Sequence, residues 1–395
     1  MKLNTFILAA AFSLGVASLA SAATTNTVYV AGSSAFRSSF QAAAIASGVV
    51  FSPAPQYTVY QGGTSNNNAG NAGNYMAFVG TPVGGGNTLV LQCKWTGSEA
   101  GILNLASNVT ESFMDPSLFD GNDHGTNLPS LTTNVVVDLA MADNAQKYSR
   151  TTKPILQKGA EVGVVTFKWV RNPGWWTGTN VTDSEIRQAL AGSCPLAVFS
   201  GNSNDVNSYV YVSGRDNSSG TRVNAFGDVG YGILSIPHQI EMTSAGVMTT
   251  NIPFGGSSAV YQGDFGFSSG GSLAATLGAV TTNAVDNTQN GGTGYSVIAY
   301  LSVGDAATAV GNGATELAYD GVPFSVAAVK EGTYPFWGNE YIYENPGDTN
   351  NAIANTVFQE MTNGIPAHVD GTKAISLSSM DSQRLSGPVA DPTHN

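Results

Sequence analysis

Arg215-Asp216-Asn217-Ser218-Ser219-Gly220-Thr221-Arg222 follows the apolar run Tyr209–Val212 and leads into a segment of helical or loop-like composition over 223–231. A strand, a turn of small residues and a helix start form a device with defined chemistry. The first N–H groups of a helix lack intrahelical partners and carry the positive end of its dipole. Ser219, Gly220 and Thr221 let an anion approach those donors closely, and two hydroxyls add further bonds. Arg215 supplies a fork of donors matched to a tetrahedral oxoanion. The plainer reading of the same residues is a capped helix without a ligand.

The pattern recurs upstream. Residues 27–31 read as a buried strand running into Gly32-Ser33-Ser34 and a helix over 36–46. Residues 89–95 read as a strand running into Gly97-Ser98 and a helix over 102–106, and 135–142 as a strand ending in Asp143. Further strands are expected at 57–61, 162–170, 322–329 and 336–343, an apolar segment at 295–303, and helices at 182–191, 306–309 and 352–361. Strands ending in small polar turns that lead into helices predict α/β architecture, with ligands held outside the carboxyl ends of the strands. Residues 62–74, 107–133 and 245–295 read as long polar or Gly/Ser-rich stretches.

Composition narrows the function. The chain has 395 residues, more than one core normally holds, so two domains are expected. Lys2, an apolar stretch from Phe6 to Leu19 and the small residues Ala20-Ser21-Ala22 predict a secretory signal peptide over 1–22, cleaved after Ala22. Localisation is therefore expected to be periplasmic or secreted. A net charge of −12 without a basic stripe argues against nucleic acid or an anionic membrane surface as partner. Cys93 and Cys194 leave both a disulfide and two free thiols open. His124, His238, His368 and His394 lack ligand spacing, so neither a zinc site nor a cofactor is expected. Gly266-Phe267-Ser268-Ser269-Gly270 matches a nucleophile-elbow pattern, but with no clear strand before it or helix directly after it, the match reads as chance. Trp175 and Trp176 are read either as a stacking platform or as packing residues. Catalysis is not expected.

Five segments, taken in order, carry a resemblance. They are Ala31-Gly32-Ser33-Ser34-Ala35-Phe36, Gly97-Ser98-Glu99-Ala100-Gly101-Ile102, residues 137–145 around Asp143, residues 215–221, and Gly332-Thr333-Tyr334-Pro335-Phe336. Together they resemble the phosphate-binding proteins that serve ABC transporters, a branch of the two-lobed periplasmic binding proteins. The resemblance implies a two-lobed type II periplasmic-binding-protein fold, each lobe a mixed sheet flanked by helices, with two hinge crossovers near Gly163 and Pro335. Lobe I would comprise 23–161 and 337–395, and lobe II 162–336. It also implies a phosphate cage of Ser34, Ala35 (through its N–H), Ser98 and Asp143 from one lobe, with Arg215, Ser219, Gly220 and Thr221 from the other. Asp143, acceptor-only when ionised, would bond a ligand that keeps a P–OH proton. The implied partners are inorganic phosphate or a related oxoanion and an ABC permease and ATPase in the inner membrane, with the protein itself a monomer. The alternative is a non-transport cell-surface or matrix protein that retains the fold. One departure bears on the site: Asn217 stands where the family has an Asp that orients the Arg, with Asp216 one residue early.

Overall fold

The computed structural model describes residues 25–61, 73–125, 130–156, 158–173, 176–192, 194–240, 265–279, 295–345, 352–384 and 393–394. The expected signal peptide lies outside the described residues. In chain order the first strands are β1 (Asn26–Gly32), β2 (Tyr57–Gln61), β3 (Tyr75–Gly80), β4 (Leu89–Lys94), β5 (Thr110–Met114), β6 (Thr132–Val136), β7 (Leu139–Ala142) and β8 (Lys158–Arg171). There follow β9 (Asn180–Val181), β10 (Cys194–Pro195), β11 (Tyr209–Val212), β12 (Tyr295–Ser302), β13 (Thr315–Glu316), β14 (Ala318–Tyr319), β15 (Trp337–Glu344) and β16 (Ala374–Ile375). The helices are α1 (Arg37–Ile45), α2 (Ser98–Ser107), α3 (Asp183–Ala191), α4 (Leu196–Ser200), α5 (Gly220–Asp228), α6 (Gly270–Ala279), α7 (Val303–Gly311), α8 (Val326–Glu331) and α9 (Ala352–Gly364).

The expected α/β class is what the chain adopts: a large mixed sheet flanked by helices. Among the described residues the sheet runs β10-β11-β12-β8-β15-β7-β1-β4-β3-β2, with β13 and β16 also on β8. β1 lies parallel to β4 and β7, and β11 parallel to β12, the pairing that crossover helices impose. β8 joins two sections of this sheet. Residues 158–166 of β8 pair with β15, and residues 167–171 pair with β12. Fourteen residues at about 3.3 Å each span roughly 45 Å, long enough to serve both sections.

Where the sections meet, aromatic rings fill the core. Trp169 of β8 stacks on Phe336 with ring centroids 5.5 Å apart and meets Tyr300 edge-on at 5.7 Å. Tyr334 donates its hydroxyl to the Phe167 carbonyl at 3.0 Å. Such ring pairs add about 1 kcal/mol each beyond the area they bury. Tyr334, Phe336 and Trp337 are therefore core residues, all buried. Trp176 is buried as well, edge-on to Phe199 at 5.4 Å, so it packs rather than presenting a stacking face; Trp175 lies outside the described residues.

Several expectations change. Residues 107–133 are not all loop: β5 pairs with β6 from Thr110↔Val136 to Met114↔Thr132, burying Phe113. The single strand expected over 135–142 divides into β6 and β7 around Asp138, whose carboxylate accepts from Tyr29 N at 2.8 Å. Residues 322–329 form no long strand. The chain turns and enters α8, capped by Ser325 Oγ accepting from Ala328 N at 3.0 Å, so the cap outweighs the alternation of Val322, Phe324 and Val326. The Gly/Ser-rich stretch contains α6; residues 241–264 and 280–294 lie outside the described residues. Cys93 and Cys194 are free, buried thiols. No helix among the described residues is long and apolar enough to cross a membrane.

One glycine fixes how β1 leaves the sheet. Gly32 has φ +131°, and a Cβ there would lie 1.9 Å from the Met141 carbonyl oxygen. Gly32→Ala is expected to cost about 3 kcal/mol or more in urea unfolding through clash and strain. Gly48→Ala, at φ +84° but in open space, is expected to cost about 1 kcal/mol. Equal losses at the two positions would mean the Met141 contact is not the constraint.

Candidate functional site

Backbone bonds knit the strand-end turns together. Gly97 N donates to Gly32 O at 2.9 Å, Ser33 N to Met141 O at 2.8 Å, and Glu99 N to Ser218 O at 3.0 Å. At the centre, Ser98 Oγ donates to Asp143 Oδ1 at 2.5 Å and accepts from Asp143 N at 3.1 Å. The first residue of α5 presses on this pair. A Cβ on Gly220 would fall 1.5 Å from Asp143 Oδ1 and 2.6 Å from Ser98 Oγ. Asn224, one turn further along α5, donates to the carbonyls of Asp143 at 2.7 Å and of Gly220 at 3.0 Å. Ser219 caps the helix, its Oγ accepting from Arg222 N at 3.3 Å, and Thr221 is buried beside it. Ser98, Asp143, Ser219, Gly220 and Thr221 thus converge from three distant parts of the chain. Ser34 and Ala35 follow Ser33 in the turn before α1, both half-buried.

Arg215 is almost wholly buried, and its seat differs from a carboxylate. Nε donates to Phe267 O and Nη2 to Ser268 O, both at 3.0 Å. Its backbone is pinned too: Arg215 N donates to the Tyr300 hydroxyl at 3.0 Å, and Gln239 Nε2 donates to Arg215 O at 3.3 Å. Asp216 braces the turn instead, accepting from Ser218 N at 3.0 Å. Carbonyl oxygens orient the guanidinium. They come from the elbow-like segment 266–270, where a helix, α6, does follow directly, contrary to expectation. That segment holds the Arg.

Burial governs the charges here. The Asp143 carboxyl is pushed up to about 6 by desolvation, against the Ser98 bond and the Arg215 charge, while Glu99 adds repulsion. Glu99 is itself raised by burial, although Arg150 N, Asn144 and Ser149 all donate to it. Burial pushes Glu340 well up, with Asp143 repelling it. Burial lowers the Arg37 guanidinium, and Asp305 opposes that shift. Glu99, Glu340, Asn224 and Arg37 were not among the expected site residues. Two carried a signal: Arg37 puts a cation in a first helical turn, where the dipole prefers an acid, and Glu340 puts a charge inside an aromatic strand. Among the described residues no group of three or more His, Cys, Asp or Glu is placed to hold a metal ion.

No family model and no curated protein matches this chain. Solved structures do show similarity. A Clostridium perfringens protein, crystallised with phosphate bound, is 14% identical over 87% of this chain and 97% of its own, with a TM-score of 0.46. An ABC-type phosphate transport receptor from Vibrio cholerae is 12% identical over 85% and 93%, at 0.44. PstS from Borrelia burgdorferi is 13% identical over 85% and 92%, at 0.38.

Because the Asp143 carboxyl titrates higher in the folded chain than its ordinary 3.8, the folded state binds more protons between about pH 4 and 6. The associated stability is full below about pH 4 and is lost as pH rises to about 6. Asp143→Asn keeps an acceptor for Ser98 but does not titrate. Wild type should therefore lose about 3 kcal/mol relative to Asp143→Asn across that window, measured by chemical unfolding at each pH. A difference that stays constant with pH would show that Asp143 does not titrate there.

Proposed function

We propose that this protein is an exported binding protein that captures phosphate, or a similar tetrahedral oxoanion, between two lobes for uptake by an ABC-type permease and its ATPase. The lobes are 23–161 with 337–395, and 162–336, crossing near Gly163 and Pro335. The observation that carries the reading is the meeting of Ser98 and Asp143 with the Ser219-Gly220-Thr221 turn at the N-terminus of α5. Helix N–H groups, hydroxyls and the Arg215 guanidinium supply donors of the kind an oxoanion needs. The ligand set is Ser34, Ala35, Ser98, Asp143, Arg215, Ser219, Gly220 and Thr221. Arg215 neutralises charge, the hydroxyls and N–H groups complete the cage, and Asp143 accepts the ligand's remaining proton. Sulfate, which has none, meets a repelling carboxylate.

Calorimetric titration with phosphate and sulfate tests this. Wild type is expected to bind phosphate and to reject sulfate. Arg215→Ala should weaken phosphate binding about 10- to 100-fold, the worth of a charge-assisted contact of roughly 1.5–3 kcal/mol. Asp143→Asn should narrow the gap between the two anions. No binding of either anion at millimolar concentration would sink the oxoanion reading and favour a protein that keeps the fold without transport.

A further inference from the structure

Glu340 is fully buried in β15, between Trp337 and Ile342 of the main core. Its Oε2 accepts from Ser33 Oγ at 3.1 Å, and its Oε1 is buried without a hydrogen-bond partner among the described residues. β15 runs antiparallel to β7 with Ile342 opposite Met141 and Tyr341 opposite Ala142. Tyr341 opposite Ala142 is the last pair of this ladder, and Glu340 and Asp143 are the next residues of their own strands, so the two lie side by side where the pairing ends. Two carboxyl groups, both shut off from water, therefore neighbour each other at the end of the ladder.

Among the described residues, the other surroundings of Glu340 supply no counter-charge. On β8 its partner is Gly163, whose missing side chain is replaced by the Phe36 ring, flanked by Val162 and Val164. Within β15, the Tyr343 hydroxyl is taken up by Gln146 N, and the Tyr341 hydroxyl bonds Glu161. Asp143, by contrast, has the Ser98 hydroxyl and the field of Arg215. Two buried carboxylates this close cannot both ionise, and the better-served one keeps the charge. The proton falls to Glu340, and to Oε1, since Oε2 already accepts from Ser33.

We propose that Glu340 is a specificity-determining residue of this site: as a neutral acid protonated on Oε1 it limits the neighbouring pair to one negative charge, and its ionisation expels a bound oxoanion. This rests on the oxoanion reading above. Burial and the Asp143 charge both push the Glu340 carboxyl upward, in agreement with the geometry.

Calorimetry with inorganic phosphate on the full chain, at intervals from pH 6 to pH 9, tests it with Glu340→Gln, which keeps the shape but cannot ionise. At pH 6 the two affinities should agree within about threefold; by pH 9 wild type should have lost at least tenfold more than the variant. Thermal unfolding without phosphate gives a second readout. Since the folded value lies above the ordinary one, wild type should lose stability relative to the variant as pH rises from about 4.5 toward the folded value. Infrared spectroscopy of wild type at pH 8 needs no variant: a protonated-carboxyl stretch should be present and should vanish on further alkalinisation. Parallel pH profiles for the two chains, or no such stretch, overturn the proposal. If wild type binds no phosphate while the stability difference persists, the oxoanion reading fails and removes the ligand role of Glu340, leaving a proton-sharing pair.

Discussion

The Asp143 carboxylate is packed so closely against the first residue of α5 that no side chain fits between them. Much of the local architecture follows from that contact. Gly220 has to lack a Cβ, and so does Gly97, where one would fall 2.3 Å from the Ser218 carbonyl oxygen. For α2 to bring Ser98 this close it must itself ride on β1, and Gly101 lies where a Cβ would come within 2.8 Å of Gly32 Cα. The glycines at these turns thus form one set with a single cause. Backbone approaches backbone so that a hydroxyl and a carboxylate can meet a helix N-terminus.

A positive field can arise inside an acidic chain because net charge and local potential are separate quantities. The chain carries −12 overall, and Asp143, Glu99 and Glu340 all lie in or beside the junction. Opposing them are the dipole of α5 and Arg215. The guanidinium spends two of its N–H groups on carbonyl oxygens, which fixes its plane without cancelling its charge, whereas a carboxylate partner would have done both. Seating the Arg on carbonyls therefore keeps its positive field available to Asp143. Burial reduces the opposing charge by raising the carboxyls.

The strand-turn-helix punctuation was legible in sequence because it is local. Small residues after an apolar run, then helix formers, place Ser98, Asp143 and the 219–221 turn at strand ends, and those residues do converge. Long-range placements were hidden. α6 carries Gly270, Gly271 and Gly278, poor helix formers, and is held by burying Leu273 and Leu277, which no local propensity records. The 107–133 stretch reads as loop because β5 exposes its first residue and β6 most of its length, so the hairpin lacks a strong apolar pattern. Glu340 depends on topology: its sequence says only that a charge interrupts an aromatic strand, and the pairing of β15 with β7 brings it beside Asp143. Phe267 and Ser268 act through carbonyl oxygens, which carry no side-chain signature at all.

The two sections of the sheet are joined by different kinds of force. At β8 and β15 the joint is continuous backbone pairing backed by Trp169, Phe336 and Tyr300, fully buried rings that are costly to separate. At the junction, among the described residues, polar contacts predominate: Glu99 N to Ser218 O, Asn224 to the Asp143 carbonyl, the packing of Gly220 on Asp143 and the buried ion pair of Arg384 with Asp228 in α5. Each hydrogen bond is worth about 1 kcal/mol net. The junction is therefore held by directional polar contacts, and the joint at β8 by the packing of large rings.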